Sequence, residues 1–249
     1  TYDGNWAVFP FLGTNKVIAG DLAYGLFVLD VSSAAGPLNN RVSDFDGDRK
    51  TDLSVFSPST GQWLIESSQA GTTSSFNWGT DGDQIITGDY DGDGRADIGV
   101  WRPSNGTWYQ LRSGSGYFVV PFGQTGDLPV PADYDADGKT DLAVWRPSNG
   151  LWYIQNSTLG FRVRGWGEPG DKAFAGDYEG DGKADLVIWR PSNGNWYIVP
   201  SSSSIPIQVG WGVAGDKPVY ADFSGDGRAE LAIYRPSEGK WYILDIFTG

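Results

Sequence analysis

In the segment "DYDGDGRAD", which begins at Asp89, carboxylates occupy positions 1, 3, 5 and 9, and glycines occupy positions 4 and 6. Glycines let so short a loop turn tightly, so alternate oxygens and the position-7 carbonyl can converge on one point. That arrangement suits a hard cation of Ca²⁺ size. The candidate ligands are Asp89, Asp91, Asp93 and Asp97 with the carbonyl of Arg95. The same frame returns as Asp44, Asp46, Asp48 and Asp52 with Lys50, and as Asp133, Asp135, Asp137 and Asp141 with Lys139. It returns again as Asp177, Glu179, Asp181 and Asp185 with Lys183, and as Asp222, Ser224, Asp226 and Glu230 with Arg228.

The loops differ in ways that predict unequal sites. Ser224 is neutral and Glu230 is longer than Asp, so the fifth loop is expected to be the weakest. Arg49 stands at position 6, where the other loops carry Gly, and is expected to strain the first. Metal-free Asx-turns are the competing reading, but they leave like charges crowded without a counter-ion. Mg²⁺ demands stricter octahedral geometry, and Zn²⁺ wants the His or Cys that this chain lacks. The expected cofactor is therefore Ca²⁺, up to five ions per chain.

The loops begin at residues 44, 89, 133, 177 and 222, a spacing of 44 or 45 residues, so the chain is an array. A unit that short cannot bury a core alone and must stack on its neighbours. Around Asp133, "DLPVPAD" reads as a short strand A before the acidic loop, and "DLAVWRP" as a strand B ending at Pro147. "SNG" supplies turn residues. "LWYIQ" and "GFRVRGW" then read as strands C and D. Four short antiparallel strands per repeat is the pattern of a β-propeller blade. The expected fold is all-β, a five-bladed β-propeller occupying residues 1–249 as one domain. The last unit stops after its strand C, and "NWAVFPFLGTNKVIAGD" resembles the D-to-A segment "YFVVPFGQTGDLPVPAD". Residues 1–21 are thus expected to supply the missing outer strand of the last blade and the first inner strand, closing the ring. Residues 22–43 read as an insertion whose "GLFVLDV" is apolar enough for an added strand, and six blades with one truncated is the alternative.

A second spacing checks the register. The Asp opening strand A precedes the Arg ending strand B by 19 residues in Asp83/Arg102, Asp127/Arg146, Asp171/Arg190 and Asp216/Arg235. Antiparallel neighbours place such positions at one end of a blade, within pairing reach. In the first unit the corresponding residues are Asn15 and Ser57, so both partners are missing together.

A net charge of −13 argues against nucleic acid, and no apolar run is long enough for a membrane span. Five divalent ions would bring that charge to about −3. Without Cys there is no disulfide or thiolate chemistry, and without His no Ser-His-Asp triad. A carboxylate pair for glycoside hydrolysis remains chemically open, but the loops and the Arg pairs account for nearly every clustered carboxylate. The chain is expected not to be an enzyme. The lack of Met suggests a processed or excised product, and the oligomeric state is open.

Units such as "DYDGDGRADIGVWRPSNGTWY … PFGQTGDLPVPA" resemble the FG-GAP/VCBS repeats of integrin-α-like propellers, across residues 44–249 and more loosely over the first 21. The resemblance implies a calcium-bearing module, secreted or at the cell surface, used in adhesion or carbohydrate binding and sometimes attached to enzymes. Trp in strands B and C reads as packing between blades. Trp78, Phe122, Trp166 and Trp211, which end strand D, are the candidates for stacking on sugars. The expected partner is a glycan or glycoprotein bound at several sites. The alternatives are a protein partner in adhesion or self-assembly, and an accessory domain of a larger secreted enzyme.

Overall fold

The computed structural model describes residues 6–10, 16–21 and 25–30 as strands, and residues 43–203 and 205–246 throughout. The described residues form an all-β, five-bladed propeller. The first blade holds β4 (Leu53–Ser57), β5 (Gln62–Glu66) and β6 (Thr73–Asn77). The second holds β7 (Gln84–Ile85), β8 (Ile98–Arg102), β9 (Thr107–Arg112) and β10 (Gly116–Pro121). The third holds β11 (Leu128–Pro129), β12 (Leu142–Arg146), β13 (Leu151–Asn156) and β14 (Gly160–Gly165). The fourth holds β15 (Lys172–Gly176), β16 (Asp185–Arg190), β17 (Asn195–Val199) and β18 (Ile207–Gly210). The fifth holds β19 (Lys217–Ala221), β20 (Glu230–Arg235) and β21 (Lys240–Leu244). All pairings within blades are antiparallel, as short connections between sequential strands require.

Each strand carries the pattern its place demands. β8 and β16 are almost wholly buried, and β13 alternates buried with half-buried residues. β14, the outer strand of the third blade, is mostly exposed. The core lies between blades. One cluster joins Trp145, Trp152 and Ile154 of the third blade to Ala175, Leu186 and Ile188 of the fourth, and another joins Trp189, Trp196 and Ile198 to Leu231 and Ile233 of the fifth. Trp101, Trp108, Trp145, Trp152 and Trp196 are fully buried, so strand B and C indoles pack as expected. Their N–H groups are used too: Trp145 and Trp152 both donate to the carbonyl of Trp166, at 3.0 and 2.9 Å.

The N-terminal strands are arranged differently from the expectation. β1 (Trp6–Pro10) pairs with β2 (Lys16–Asp21), and β2 with β3 (Gly25–Asp30), as a three-stranded sheet. Among the described residues β1 has no pairing with β21 and β2 none with β4, so residues 6–10 do not supply the expected outer strand of the last blade, nor residues 16–21 the expected inner strand of the first. A hairpin between neighbouring strands closes a short loop, whereas reaching β21 closes nearly the whole chain. The strand expected within "GLFVLDV" is β3. Asn15 lies outside the described residues.

Candidate metal loops and an inter-blade groove

The acidic loops sit between strands A and B and follow one hydrogen-bond scheme. The position-1 carboxylate accepts the amides of positions 4 and 6: Asp89 takes Gly92 at 2.6 Å and Gly94 at 2.8 Å, and Asp133 takes Ala136 at 2.7 Å and Gly138 at 2.9 Å. Both amide-donating residues need positive φ. Gly92 and Gly94 adopt it freely at 80° and 86°, whereas Arg49 at 72° and Ala136 at 62° do so against their side chains. The strain expected at Arg49 is therefore present, and Ala136 shares it.

The position-9 carboxylate ties the loop to the C–D connection. Asp97 accepts from Tyr90 N at 2.9 Å and from Ser113 N at 2.7 Å, and Asp141 accepts from Tyr134 N at 2.9 Å and Ser157 N at 2.6 Å. Hydroxyls of that connection reach positions 3 and 5: Ser115 donates to Asp91 at 2.8 Å, Ser113 to Asp93 at 2.7 Å, and Ser157 and Thr158 to Asp137. These serines escaped the reading of the sequence. A signal was there, since Ser68, Ser113, Ser157 and Ser201 each follow the position-9 Asp by 16 residues.

Burial raises the carboxyl pKa of Asp97 to about 6, and of Asp141 and Asp185 to about 7, despite these amide bonds. Four loops bring three carboxylate oxygens within 4.8 Å of one another: Asp44/Asp46/Asp48, Asp89/Asp91/Asp97, Asp133/Asp135/Asp141 and Asp222/Asp226/Glu230. In the second and third loops one oxygen at position 3, Oδ1 of Asp91 and Oδ1 of Asp135, is buried with no hydrogen-bond partner. A buried carboxylate oxygen without a donor is costly, and a hard cation is the partner such a donor set fits. The fourth loop forms no such trio, because Glu179 turns to Ser202, accepting its amide at 2.8 Å and its hydroxyl at 2.6 Å. Glu230, by contrast, still joins the fifth.

Adjacent loops are bonded to each other. The position-8 amide donates to the position-1 carbonyl of the preceding blade: Ala96 to Asp44 at 2.6 Å, Thr140 to Asp89 at 2.6 Å, Ala184 to Asp133 at 2.7 Å and Ala229 to Asp177 at 2.7 Å.

The opposite face carries the B–C and D–A turns. Here all four expected Asp–Arg pairs are formed and bidentate. Arg146 Nε meets Asp127 Oδ1 at 2.7 Å and its Nη2 meets Oδ2 at 2.9 Å; Arg190 meets Asp171 at 2.8 and 2.9 Å. Arg102 and Arg235 hold Asp83 and Asp216 in the same way. Each guanidinium also lies over a strand C tyrosine, 4.2 Å from the ring centroid for Arg146 and Tyr153.

Trp78, Phe122, Trp166 and Trp211 are half-buried at this face. Three of them donate an indole N–H into the next blade: Trp78 to the Tyr109 carbonyl at 3.1 Å, Trp166 to Tyr197 at 3.2 Å and Trp211 to Tyr242 at 3.4 Å. Phe122 instead meets Phe161 edge-on at 6.3 Å. They therefore brace neighbouring blades while leaving part of each ring exposed. Between the third and fourth blades Trp166 helps line a groove of about 410 Å³, together with Asn149, Glu168, Ile188, Arg190 and Tyr197. Its floor needs glycine: a Cβ on Gly150 would stand 2.3 Å from the Gly167 carbonyl oxygen.

A family model described as FG-GAP-like repeat matches residues 44–100 and 133–188. No curated protein matches the chain in sequence. Among solved structures, the chain is similar to a lectin of Agrocybe aegerita that recognises non-reducing terminal N-acetylglucosamine, at 15% identity and a TM-score of 0.54, over 97% of this chain and 79% of that one. It is also similar to BBS1N, solved in complex with ARL6DN, at 16% identity and a TM-score of 0.51, over 96% of this chain and 73% of that one. At such identities the likeness is one of fold.

Proposed function

We propose, from the premise that this chain belongs to the FG-GAP-like repeat proteins, that it is a non-catalytic, calcium-stabilised module that binds glycans in the grooves between its blades. The groove beside Trp166 carries this reading. Its volume of about 410 Å³ falls in the range of roughly 300–1,000 Å³ that small-molecule sites occupy. A half-exposed indole flanked by charged side chains offers a sugar both an apolar face and hydrogen-bond partners. The turns recur in the other blades, which suits several weak sites acting together. The carboxylates of the first, second, third and fifth loops would hold the ions, and the fourth would hold one least well. Bound calcium would supply the positive charge that the clustered carboxylates lack. A secreted or cell-surface location, where calcium is plentiful, would keep such sites filled.

The test is a glycan array probed in calcium with the wild type and Trp166→Ala, beside thermal unfolding in calcium and in EDTA. Sugar binding that Trp166→Ala weakens is the expected result. A folded, metal-loaded protein that binds no sugar would remove the glycan reading.

Exposed apolar residues on the outer strands favour a second reading, a protein partner in adhesion. Tyr117 is 63% exposed and Phe161 58%. Capture of a protein ligand lost in Tyr117→Ser with Phe161→Ser, and kept in Trp166→Ala, would support it.

A further inference from the structure

In four blades an aromatic residue and a glycine are followed by one position that varies: Thr80, Gln124, Glu168 and Val213. Its backbone is fixed, since the amide donates to the Oδ2 of the clamped Asp three residues on, at 2.9 Å for Thr80, Gln124 and Val213 and at 2.8 Å for Glu168. The frame holds the position beside the Asp–Arg clamp and leaves its side chain free to differ. Glu168 alone among the four bears a carboxyl group.

The charges around it do not cancel. Arg190 is already committed to Asp171 by two bonds of 2.8 and 2.9 Å, and its side chain is 21% exposed. Glu168 stands 3.4 Å from that guanidinium with its side chain 69% exposed. Two carboxylates therefore share one guanidinium, so the Asp171–Arg190–Glu168 trio beside the groove carries a net negative charge, and the exposed Glu168 carboxylate offers an acceptor there. Asn149 is uncharged and does not offset this: its side-chain carbonyl oxygen accepts from Leu151 N at 3.0 Å and its amide donates to the Tyr153 hydroxyl at 3.3 Å. An uncharged ring with adjacent hydroxyls can donate to the Glu168 oxygens while its apolar face lies on Trp166. A sugar bearing a carboxylate would bring a second anion against the first.

We propose that Glu168 is the specificity-determining residue of the groove between the third and fourth blades, which takes an uncharged, hydroxyl-rich sugar ring and rejects acidic sugars. The inference rests on the glycan reading above. At about 5 Å and in a solvent-exposed setting, two like charges disfavour each other by about tenfold in affinity, and the discrimination weakens in high salt.

The experiment is an NMR titration in calcium that follows the indole N–H of Trp166, identified by its loss in Trp166→Phe. The probes are the methyl glycosides of glucose, galactose, N-acetylglucosamine and glucuronic acid, added to the wild type and to Glu168→Gln. At least one neutral glycoside is expected to shift the Trp166 signal, with the glucuronide binding about tenfold more weakly than the glucoside. Glu168→Gln, an exposed and conservative change, is expected to bring the two within about twofold. Equal binding by the wild type, or a ratio unchanged in Glu168→Gln, would overturn the role of Glu168 and leave the glycan reading standing. Shifts confined to Trp78 or Trp211 would overturn the choice of groove alone. No indole shift with any sugar, in protein shown to hold its metal, would remove both.

Discussion

The two faces of this propeller solve the same problem, holding buried carboxylates within each blade, with opposite charge chemistry. On the turn face each buried carboxylate has its own cation: Asp127 is fully buried at its side chain and held bidentately by Arg146. On the loop face carboxylates are gathered with one another, and their donors are amides and hydroxyls apart from the exposed Lys50 ammonium 3.4 Å from Asp48. That difference shows in ionisation, since Arg235 holds the Asp216 carboxyl below its usual range while burial pushes Asp141 up to about 7. The turn face pairs its buried carboxylates with the chain's own cations, and the loop face gathers carboxylates that could hold a metal ion.

The comparison breaks first on metal removal. An ion present at about 100 times its dissociation constant adds about 2.7 kcal/mol per site, so several loops together should lower the unfolding temperature in EDTA by more than about 10 °C. Calcium should restore it, with about four ions by mass spectrometry and the fourth loop the least filled. An unchanged midpoint would make the two faces alike.

Arg146→Ala tests the other face. Stranding the buried Asp127 carboxylate should cost about 3–5 kcal/mol in urea unfolding, by the same amount in calcium and in EDTA. A loss that depended on calcium would show that the faces are not independent.

The pH dependence separates them next. Asp141 and Asp185 ionise at about 7 in the fold against 3.8 for the ordinary carboxyl, so the folded state holds their protons more tightly. Their contribution is fully present below the lower value and is lost as pH rises through about 7. In EDTA the midpoint should therefore fall between pH 5.5 and pH 8, whereas with calcium bound that fall should vanish. The clamp at Asp216 runs the other way, losing its contribution only as acid protonates a carboxyl held low. A midpoint in EDTA that rose with pH across this window would contradict the assignment.

The smallest expected effect is a gain. Glycine at Arg49 or Ala136 relieves a left-handed residue and should stabilise the protein by about 1 kcal/mol, in scanning calorimetry. No change at either site would mean that the neighbouring bonds absorb the strain.

Much of this was legible in one dimension. The 44- or 45-residue spacing of the acidic loops implied blades, because a repeat too short for its own core must stack. The 19-residue offset of Asp and Arg implied the clamps, because antiparallel register converts sequence spacing directly into proximity. The carboxylate pattern marked the loops for the same reason: ligand spacing within nine residues is local. Three features needed the folded chain. That β1 takes β2 as its partner is a competition between a short closure and a long one, which a resemblance between segments does not weigh. That Glu179 leaves its cluster for Ser202 depends on a connection more than twenty residues away. That Trp166 both braces a neighbour and walls a groove depends on where the next blade stands. The sequence determined what lies within a repeat, where contacts are short in chain distance. What lies between repeats was decided by tertiary structure, because those distances are set by how whole blades pack.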